Sequence, residues 1–584
     1  MKRTKIICTL GPAVDSLEKI EALIRAGMNI ARFNFSHGAY EEHKKRIEWV
    51  KKARESLGVA CALMLDTKGP EIRVGILLED KIALQAGQKL SIVEKASRAD
   101  EIPIDPISVI DSIEVGMTLL FNDGYISSRV IEKTANGLVI QMNDSGTLLS
   151  RKGINVPDAH LNLPALTDRD VEDLIFGCKM DIDMVAASFI RSSEHVLAIK
   201  RVLTLHQKPD TLVIAKIENR EGIENFDTIV QVSDGIMVAR GDLGVELDPS
   251  VVPRLQKMMV RKCFDACKPV TIATQMLESM IVHPRATRAE VSDVANAIYD
   301  GSSSIMLSAE SSVGKYPIEA VTLMGKIACQ SEEDFNNREF YKLHSGKEFH
   351  PSSVVASSAV NTAYTVGAKA IFVFTTSGLT VRALSRFKPE MPVIAVTDNQ
   401  KIFHQMSFFW GVISLLAPSS SFANFFALAS KYATQKELIH FGDSVVVIGG
   451  SEFGLRGSTN TMIVENIGNI LVRGEKGQGA LVKGTIKIFV QKHHDTKEDL
   501  ANSILVLPKC DPSYIPLMRA AKGVILENHV GDLASMQYGI EMAKRYKLSL
   551  IVRAENAMSI LQEGEEVFMD PIKAIVYRDE QLKS

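Results

Sequence analysis

The chain has 584 residues, more than one hydrophobic core organises, so several domains are expected. Its 67 basic and 70 acidic residues leave a net charge of −3, which argues against nucleic acid or a membrane surface as the main partner. No stretch reaches the ~18 apolar residues of a membrane span, and the apolar run in MKRTKIICTLGP is too short for a signal peptide, so a cytoplasmic protein is expected. The 7 cysteines are scattered without a CxxC, which predicts free, mostly buried thiols rather than a zinc site.

Short apolar runs alternate with helix-like stretches through the first 330 residues or so. KIICTLG, NIARFNFS, CALMLDT, DMVAASF, LVIAKIEN, GIMVARGD, PVTIATQM and SSIMLSAE read as eight strands of a (β/α)8 barrel. One interruption, residues 69–165, is rich in strand signals and in turns such as NDG, and predicts an all-β lid inserted after the third strand. The barrel then occupies 1–68 and 166–345.

From 346 to 473 a second alternation (AIFVFTT, PVIAVTD, SVVVIGG, TMIVENI) predicts a smaller open α/β sheet. VRGEKGQGA reads as a polar, glycine-rich junction. Residues 480–584, with SILVLP, GVILEN, LSLIVRA and KAIVYR as strands, form a further α/β domain. The predicted class is therefore α/β: a barrel with a β lid, a smaller open-sheet domain and an extra C-terminal domain.

Chemistry collects at the C-terminal ends of the barrel strands, the rim at which such barrels react. In VIAKIEN, Lys216 and Glu218 follow an apolar run at a spacing of two, which places a cation and a carboxylate on one face. The second strand brings Arg32, Asn34 and Ser36, and the third Asp66, Thr67 and Lys68. The sixth brings Arg240 and Asp242, the seventh Thr274 and Gln275, and the eighth Ser308 and Glu310. Each alone has a plain reading as an ion pair or a cap; a concentration across one barrel mouth does not.

Glu218 and Asp242 suit magnesium or manganese. Arg32 offers a fork to phosphate, and Lys216 a point charge against developing negative charge. Asn34, Ser36, Asp66 and Thr67 supply oxygens suited to a monovalent cation. The set points to phosphoryl or enolate chemistry. No GxxxxGK[ST] supports a P-loop, since GKYP lacks the hydroxyl residue.

CTLGP, NIARFNFSHG, LDTKGPEIR, IAKIEN, VARGDLGVE, TQMLESM, RAEVSDVANAIYDG and GKYP, in this order over residues 1–475, together resemble the pyruvate kinase family. Residues 480–584 resemble the phosphoenolpyruvate-utilising-type domain appended in some bacterial members. The resemblance implies phosphoryl transfer from phosphoenolpyruvate to ADP, with magnesium held by Glu218 and Asp242 and potassium by Asn34, Ser36, Asp66 and Thr67. It implies that Arg32 and Lys216 bind the phosphoryl group, and that Thr274 sits near the face where the enolate takes its proton. The backbone around Ala239 and Gly241 would meet the substrate carboxylate, and His37, Arg73 and Lys152 the nucleotide phosphates. Asp123 matches a lid carboxylate, and Glu71 in KGPEIR matches potassium-dependent members.

TTSGLT resembles an effector-phosphate loop, which would use Thr375, Thr376, Ser377, Gly378 and Thr380 for a phosphorylated allosteric effector. A homotetramer is implied by resemblance alone. Two positions depart from the family pattern, Ala309 and Ser311, where Gly and Thr are usual. In the C-terminal domain, DLASMQYG places Met536 or Tyr538 where phosphocarrier relatives use histidine, and His529 reads as a surface residue. The alternatives are a metal-dependent C–C lyase on pyruvate-like oxyacids and an inactive barrel subunit.

Overall fold

The structure, a computed structural model, describes residues 2–134, 137–346, 351–417, 421–450, 459–490 and 499–578. The eight predicted barrel strands are Lys5–Thr9, Ile30–Asn34, Ala62–Asp66, Met184–Ala187, Leu212–Ile217, Gly235–Ala239, Val270–Ala273 and Ser304–Leu307. They close in chain order, with Lys5 opposite Ser304 and Ile7 opposite Ile30 at the seam. Their sequences are nearly unbroken apolar runs because a parallel sheet ringed by helices is buried on both faces. Every residue of Ala62–Asp66 and of Gly235–Ala239 is buried. Thr167 with Asp170, and Thr287 with Glu290, form capping boxes that start two of the surrounding helices.

The interruption folds as a lid with its own core, including Ile92, Phe121 and Ile140. Ile72–Val74, Lys89–Val93, Glu101–Asp105, Thr118–Phe121, Ile126–Thr134, Gly137–Met142 and Gly153–Asn155 close into a second barrel. The NDG turn between Thr118–Phe121 and Ile126–Thr134 has φ of 51°, 57° and 81° at Asn122, Asp123 and Gly124, left-handed values that favour these residue types.

Both chain crossings between barrel and lid end on one carboxylate. Gly69 N donates to Asp170 at 2.9 Å, while Thr167 N and Oγ1 donate to it at 2.9 and 2.6 Å. Asp170 has no exposed surface.

A five-stranded sheet follows, in the order Val412–Leu416, Val393–Thr397, Ala370–Phe374, Ser444–Gly450, Thr459–Asn466. Sequence patterning missed Val412–Leu416. It lies at the sheet edge and is only partly buried.

The chain divides into two compact units, the first containing both barrels and the second the C-terminal sheet. That sheet has eight strands: Asn469–Arg473, Ile575–Arg578, Glu566–Asp570, Val482–Ile488, Ser503–Leu507, Gly523–Leu526, Ser549–Val552 and Lys476–Gln478, in spatial order. Its centre is parallel and its flanks antiparallel. The stretch VRGEKGQGA, read as a junction, is thus part of the sheet, because it supplies part of one edge strand and all of the other. A Cβ at Gly474 would collide with Ile551, and one at Gly477 with the Pro571 carbonyl. These glycines permit close packing.

Candidate active site

The barrel strands end in a closed network of ionisable groups. Arg32 leaves the second strand and donates through Nε to Asp66 Oδ2 at 2.6 Å and through Nη1 to Thr9 Oγ1 at 2.7 Å. Lys216, on the fifth strand, donates to Asp66 Oδ1 at 3.1 Å and to Ser188 Oγ at 2.7 Å, and lies 3.0 Å from Glu218 Oε1. Glu218 Oε2 accepts from Phe189 N at 2.5 Å. All four ionisable groups are nearly buried, Asp66 at 1% and Glu218 at 2% exposure. Two cations therefore share one carboxylate.

Charges this close in a poorly solvated site set each other's titration. Burial alone would raise the Asp66 carboxyl, but Arg32 and Lys216 outweigh it and hold that carboxyl below the usual aspartate value. Burial would likewise lower the Lys216 ammonium, yet Asp66 and Glu218 carry it above the usual lysine value. Asp242 behaves oppositely. Burial first, then the Glu218 charge, push its carboxyl up. Within Arg32, Lys216, Asp66 and Glu218 the charges cancel, and among the described residues Asp242 forms no ion pair of its own.

That donor set fits a divalent cation. Glu218 and Asp242 are hard oxygen donors at neighbouring strand ends. Among the described residues no group of three or more His, Cys, Asp or Glu side chains is arranged to hold a metal. Two protein carboxylates completed by oxygens of water and substrate agree with both facts.

Asn34, Ser36, Asp66 and Thr67 lie at or just past the adjacent ends of the second and third strands, with Asn34 opposite Asp66. Asn34 Oδ1 accepts from Ser36 N at 3.1 Å, and Thr67 Oγ1 from Ser188 N at 3.1 Å.

Thr274 and Gln275 carry φ of 70° and 54°, two successive left-handed non-glycine residues of the kind that costs about 1–3 kcal/mol each. The turn is held from below. Arg240 forms a two-bond pair with Asp293, both at 2.7 Å, and donates to the Thr274 carbonyl at 2.9 Å. Thr274 Oγ1 accepts from Gly241 N at 2.8 Å, which fixes the side chain beside the start of helix Arg240–Glu246. Ala239 is buried just before that helix.

A cavity of about 1130 Å³ opens here, lined by Thr274, Gly241 and Asp242 from the barrel and by Asp123 and Tyr125 from the lid. Asp123 and Asp242 also line a smaller one of about 120 Å³ together with Glu71.

The other expected residues lie outside this cluster. Arg73 stays on the lid, 2.5 Å from Glu71 Oε1 and 2.7 Å from the Arg151 carbonyl, and Lys68 lies 3.5 Å from the same Glu71 oxygen. Lys152 is half-buried and His37 exposed. In TTSGLT, Thr375 Oγ1 accepts from Gly378 N at 2.9 Å, and Thr380 bonds Thr459. Thr376 and Ser377 remain half-exposed there.

Ser311 keeps a structural bond, its hydroxyl donating to the Thr9 carbonyl at 2.9 Å. In the C-terminal domain Met536 and Tyr538 pack against the apolar cluster, while His529 is exposed and accepts from Gly531 N at 3.1 Å.

Sequence reasoning missed Thr9, Ser188 and Asp170. Ser188 ends the fourth strand after two alanines, and a lone hydroxyl there carries no signal above an ordinary cap. Asp170 was legible only as a helix-start residue.

Comparison with known proteins adds an independent line. The family described as pyruvate kinase, barrel domain, matches residues 1–321, and pyruvate kinase, alpha/beta domain, matches 353–465. The family described as PEP-utilising enzyme, mobile domain, matches 500–573. Proteins named pyruvate kinase from Bacillus licheniformis and Sporosarcina psychrophila are 38% identical over 584 residues and 37% over 583, each alignment covering 99% of both chains. One from Geobacillus stearothermophilus is 38% identical over 585 aligned positions, again across 99% of both.

Proposed function

This chain belongs to the pyruvate kinase family, and from that premise we propose that the buried Arg32–Asp66–Lys216–Glu218 network is its phosphoryl-transfer site. The protein is a phosphotransferase that moves the phosphoryl group of phosphoenolpyruvate to ADP, giving pyruvate and ATP. The observation that carries the assignment is the sharing of Asp66 by two buried cations at the barrel mouth.

The roles are read from position together with the family resemblance. Arg32 holds the phosphoryl oxygens with its guanidinium, already aimed by Asp66 and Thr9. Lys216 sets a compact positive charge where the phosphoryl group leaves and the enolate oxygen gains charge. Glu218 and Asp242 would hold the divalent metal, and Asn34, Ser36, Asp66 and Thr67 the potassium ion. When bound, the divalent ion supplies Lewis-acid polarisation of substrate oxygens.

The backbone around Ala239 and Gly241, at the start of a helix, meets the substrate carboxylate. Thr274, fixed by Arg240 and Gly241, orders the water that protonates the enolate. His37, Arg73 and Lys152 meet the nucleotide phosphates, with Arg73 exchanging Glu71 for them, and Asp123 approaches from the lid. Thr376 and Ser377, half-exposed in the TTSGLT loop, are the part of it open to a phosphorylated effector.

The division into barrel, lid, open-sheet domain and C-terminal domain belongs to the same reading, as do a homotetramer and a cytoplasmic location. A coupled assay of ADP-dependent pyruvate release tests the reaction. Turnover that needs a divalent ion, rises with potassium and is lost in Lys216→Met supports the site. Full turnover in Lys216→Met overturns it. Glu71→Lys, which puts a positive charge at the start of the lid, should lessen the potassium requirement.

A further inference from the structure

Arg32 rests on one carboxylate and Lys216 on two, each also on one hydroxyl, and the two hydroxyls are built alike. Thr9 Oγ1 donates to the Leu307 carbonyl at 2.9 Å and accepts from Arg32 at 2.7 Å. Ser188 Oγ lies 2.6 Å from the Thr67 carbonyl and 3.2 Å from Asp66 Oδ1, and accepts from Lys216 at 2.7 Å. A hydroxyl has one proton. The shorter contact commits that of Ser188 to Thr67, as Leu307 takes that of Thr9. Each oxygen is left only lone pairs for its cation, and both residues are 5% exposed.

We propose that Thr9 and Ser188 are positioning residues that fix the directions of Arg32 and Lys216 without reducing their charge. The inference rests on the roles given to those two cations above.

A carboxylate aims a cation but also neutralises it, and Asp66 and Glu218 each serve more than one partner. Any ligand that draws on either carboxylate weakens its hold on Lys216 or Arg32. A hydroxyl locked as an acceptor keeps its bond through such a change, because no competing proton lets it turn away. The ammonium and guanidinium thus stay aimed at the mouth while their full charge remains available to the substrate.

The test uses the full-length protein, with steady-state kinetics, calorimetric binding of phosphoenolpyruvate and thermal unfolding. Thr9→Val keeps the shape and removes the acceptor, whereas Thr9→Ser keeps the acceptor. We expect Thr9→Val to weaken phosphoenolpyruvate binding by about tenfold, in line with the loss of one charged hydrogen bond, with Thr9→Ser restoring most of it. Ser188→Ala should lower kcat by about tenfold to a hundredfold with KM for ADP within about twofold of wild type.

Wild-type kcat and phosphoenolpyruvate affinity in folded Thr9→Val and Ser188→Ala would overturn the proposal, as would equal losses in Thr9→Ser and Thr9→Val. If Ser188→Ala does not fold, the two Thr9 variants decide alone. Lys216→Met is the control. If it retains turnover, the underlying site assignment fails rather than the role of the hydroxyls.

Discussion

The barrel mouth and the C-terminal sheet both place polar residues at the ends of parallel strands, and the barrel mouth links several of its ionisable groups into one buried network. In the mouth, Asp66 binds Arg32 and Lys216, and Lys216 also meets Glu218, so ionisable side chains are one another's partners. In the C-terminal domain most of the corresponding groups bond backbone. Asn528 accepts from Arg553 N at 2.9 Å and donates to the Asp532 carbonyl at 3.0 Å. Asp532 caps Ser535 N at 3.0 Å, Glu527 accepts from Met558 N at 2.5 Å, and Arg553 pairs with Glu475. Such bonds shape loops. A strand-end position is therefore not evidence of chemistry until the partners of its side chains are known.

The strongest way to break this contrast is the same substitution in both places. Asp66→Asn leaves Arg32 and Lys216 buried without their shared anion, and breaking such a pair costs about 3–5 kcal/mol. Denaturant unfolding of the variant should show that loss, and turnover should fall with it. The pH dependence has a definite sign. Because the folded Asp66 carboxyl lies below its unfolded value, its stabilisation is complete above the unfolded value and is lost as pH falls through the folded one. Wild-type protein should lose this contribution below about pH 4, and Asp66→Asn should lack that acid-dependent component. A variant as stable as wild type would place Asp66 among the loop-shaping residues.

Next in size is Glu218→Ala, which removes one of the two hard anionic donors. We expect a loss of about 2.7 kcal/mol of transition-state stabilisation, roughly a hundredfold in kcat/KM. Near-wild-type rates at ordinary magnesium would remove Glu218 from the site.

Asp170→Ala should act between the extremes. It leaves the Gly69 and Thr167 donors without their acceptor, a cost of about 1–3 kcal/mol for a buried unsatisfied group. Because both lid crossings end there, KM for ADP should rise several-fold more than KM for phosphoenolpyruvate. Unchanged stability and unchanged KM would mean that other contacts hold the crossings.

The smallest effect is expected at the C-terminal edge. Asp532→Asn preserves a capping side chain, so unfolding should shift by no more than about 0.5 kcal/mol. Labelled phosphoenolpyruvate, quenched in alkali, should leave no phosphohistidine within residues 480–584, and His529→Ala should turn over normally. Stoichiometric label on His529 would erase the contrast between the two edges.

Much of this was legible in the sequence because a parallel barrel writes itself as apolar runs and its mouth as charges at their ends. Lys216 and Glu218 in VIAKIEN, Arg32 in ARFNFS and Asp66 in LMLDT were all visible in that way. What was hidden depends on long-range geometry. Ser188 follows Ala186 and Ala187 and matters because it meets Lys216 from another strand. Asp170 is a helix cap by pattern and a lid tether only because Gly69, 101 residues earlier, reaches it. The strands Asn469–Arg473 and Lys476–Gln478 were hidden by glycines that resemble a linker and in fact admit neighbouring chain.

The sheet edge at Asn469–Arg473 bears on where a gene encoding this protein could be shortened. A stop codon placed at 474 would still encode that strand but not its partner Ile575–Arg578. The product would carry an orphan ribbon with unpaired amides and carbonyls, an invitation to self-association. Phe441 stacks on Tyr577 and Lys573 pairs with Asp443, so a deletion would also uncover the turn around Gly442. A stop codon near 467 spares the product that ribbon, but the Phe441 turn would still need a polar replacement for the ring it loses.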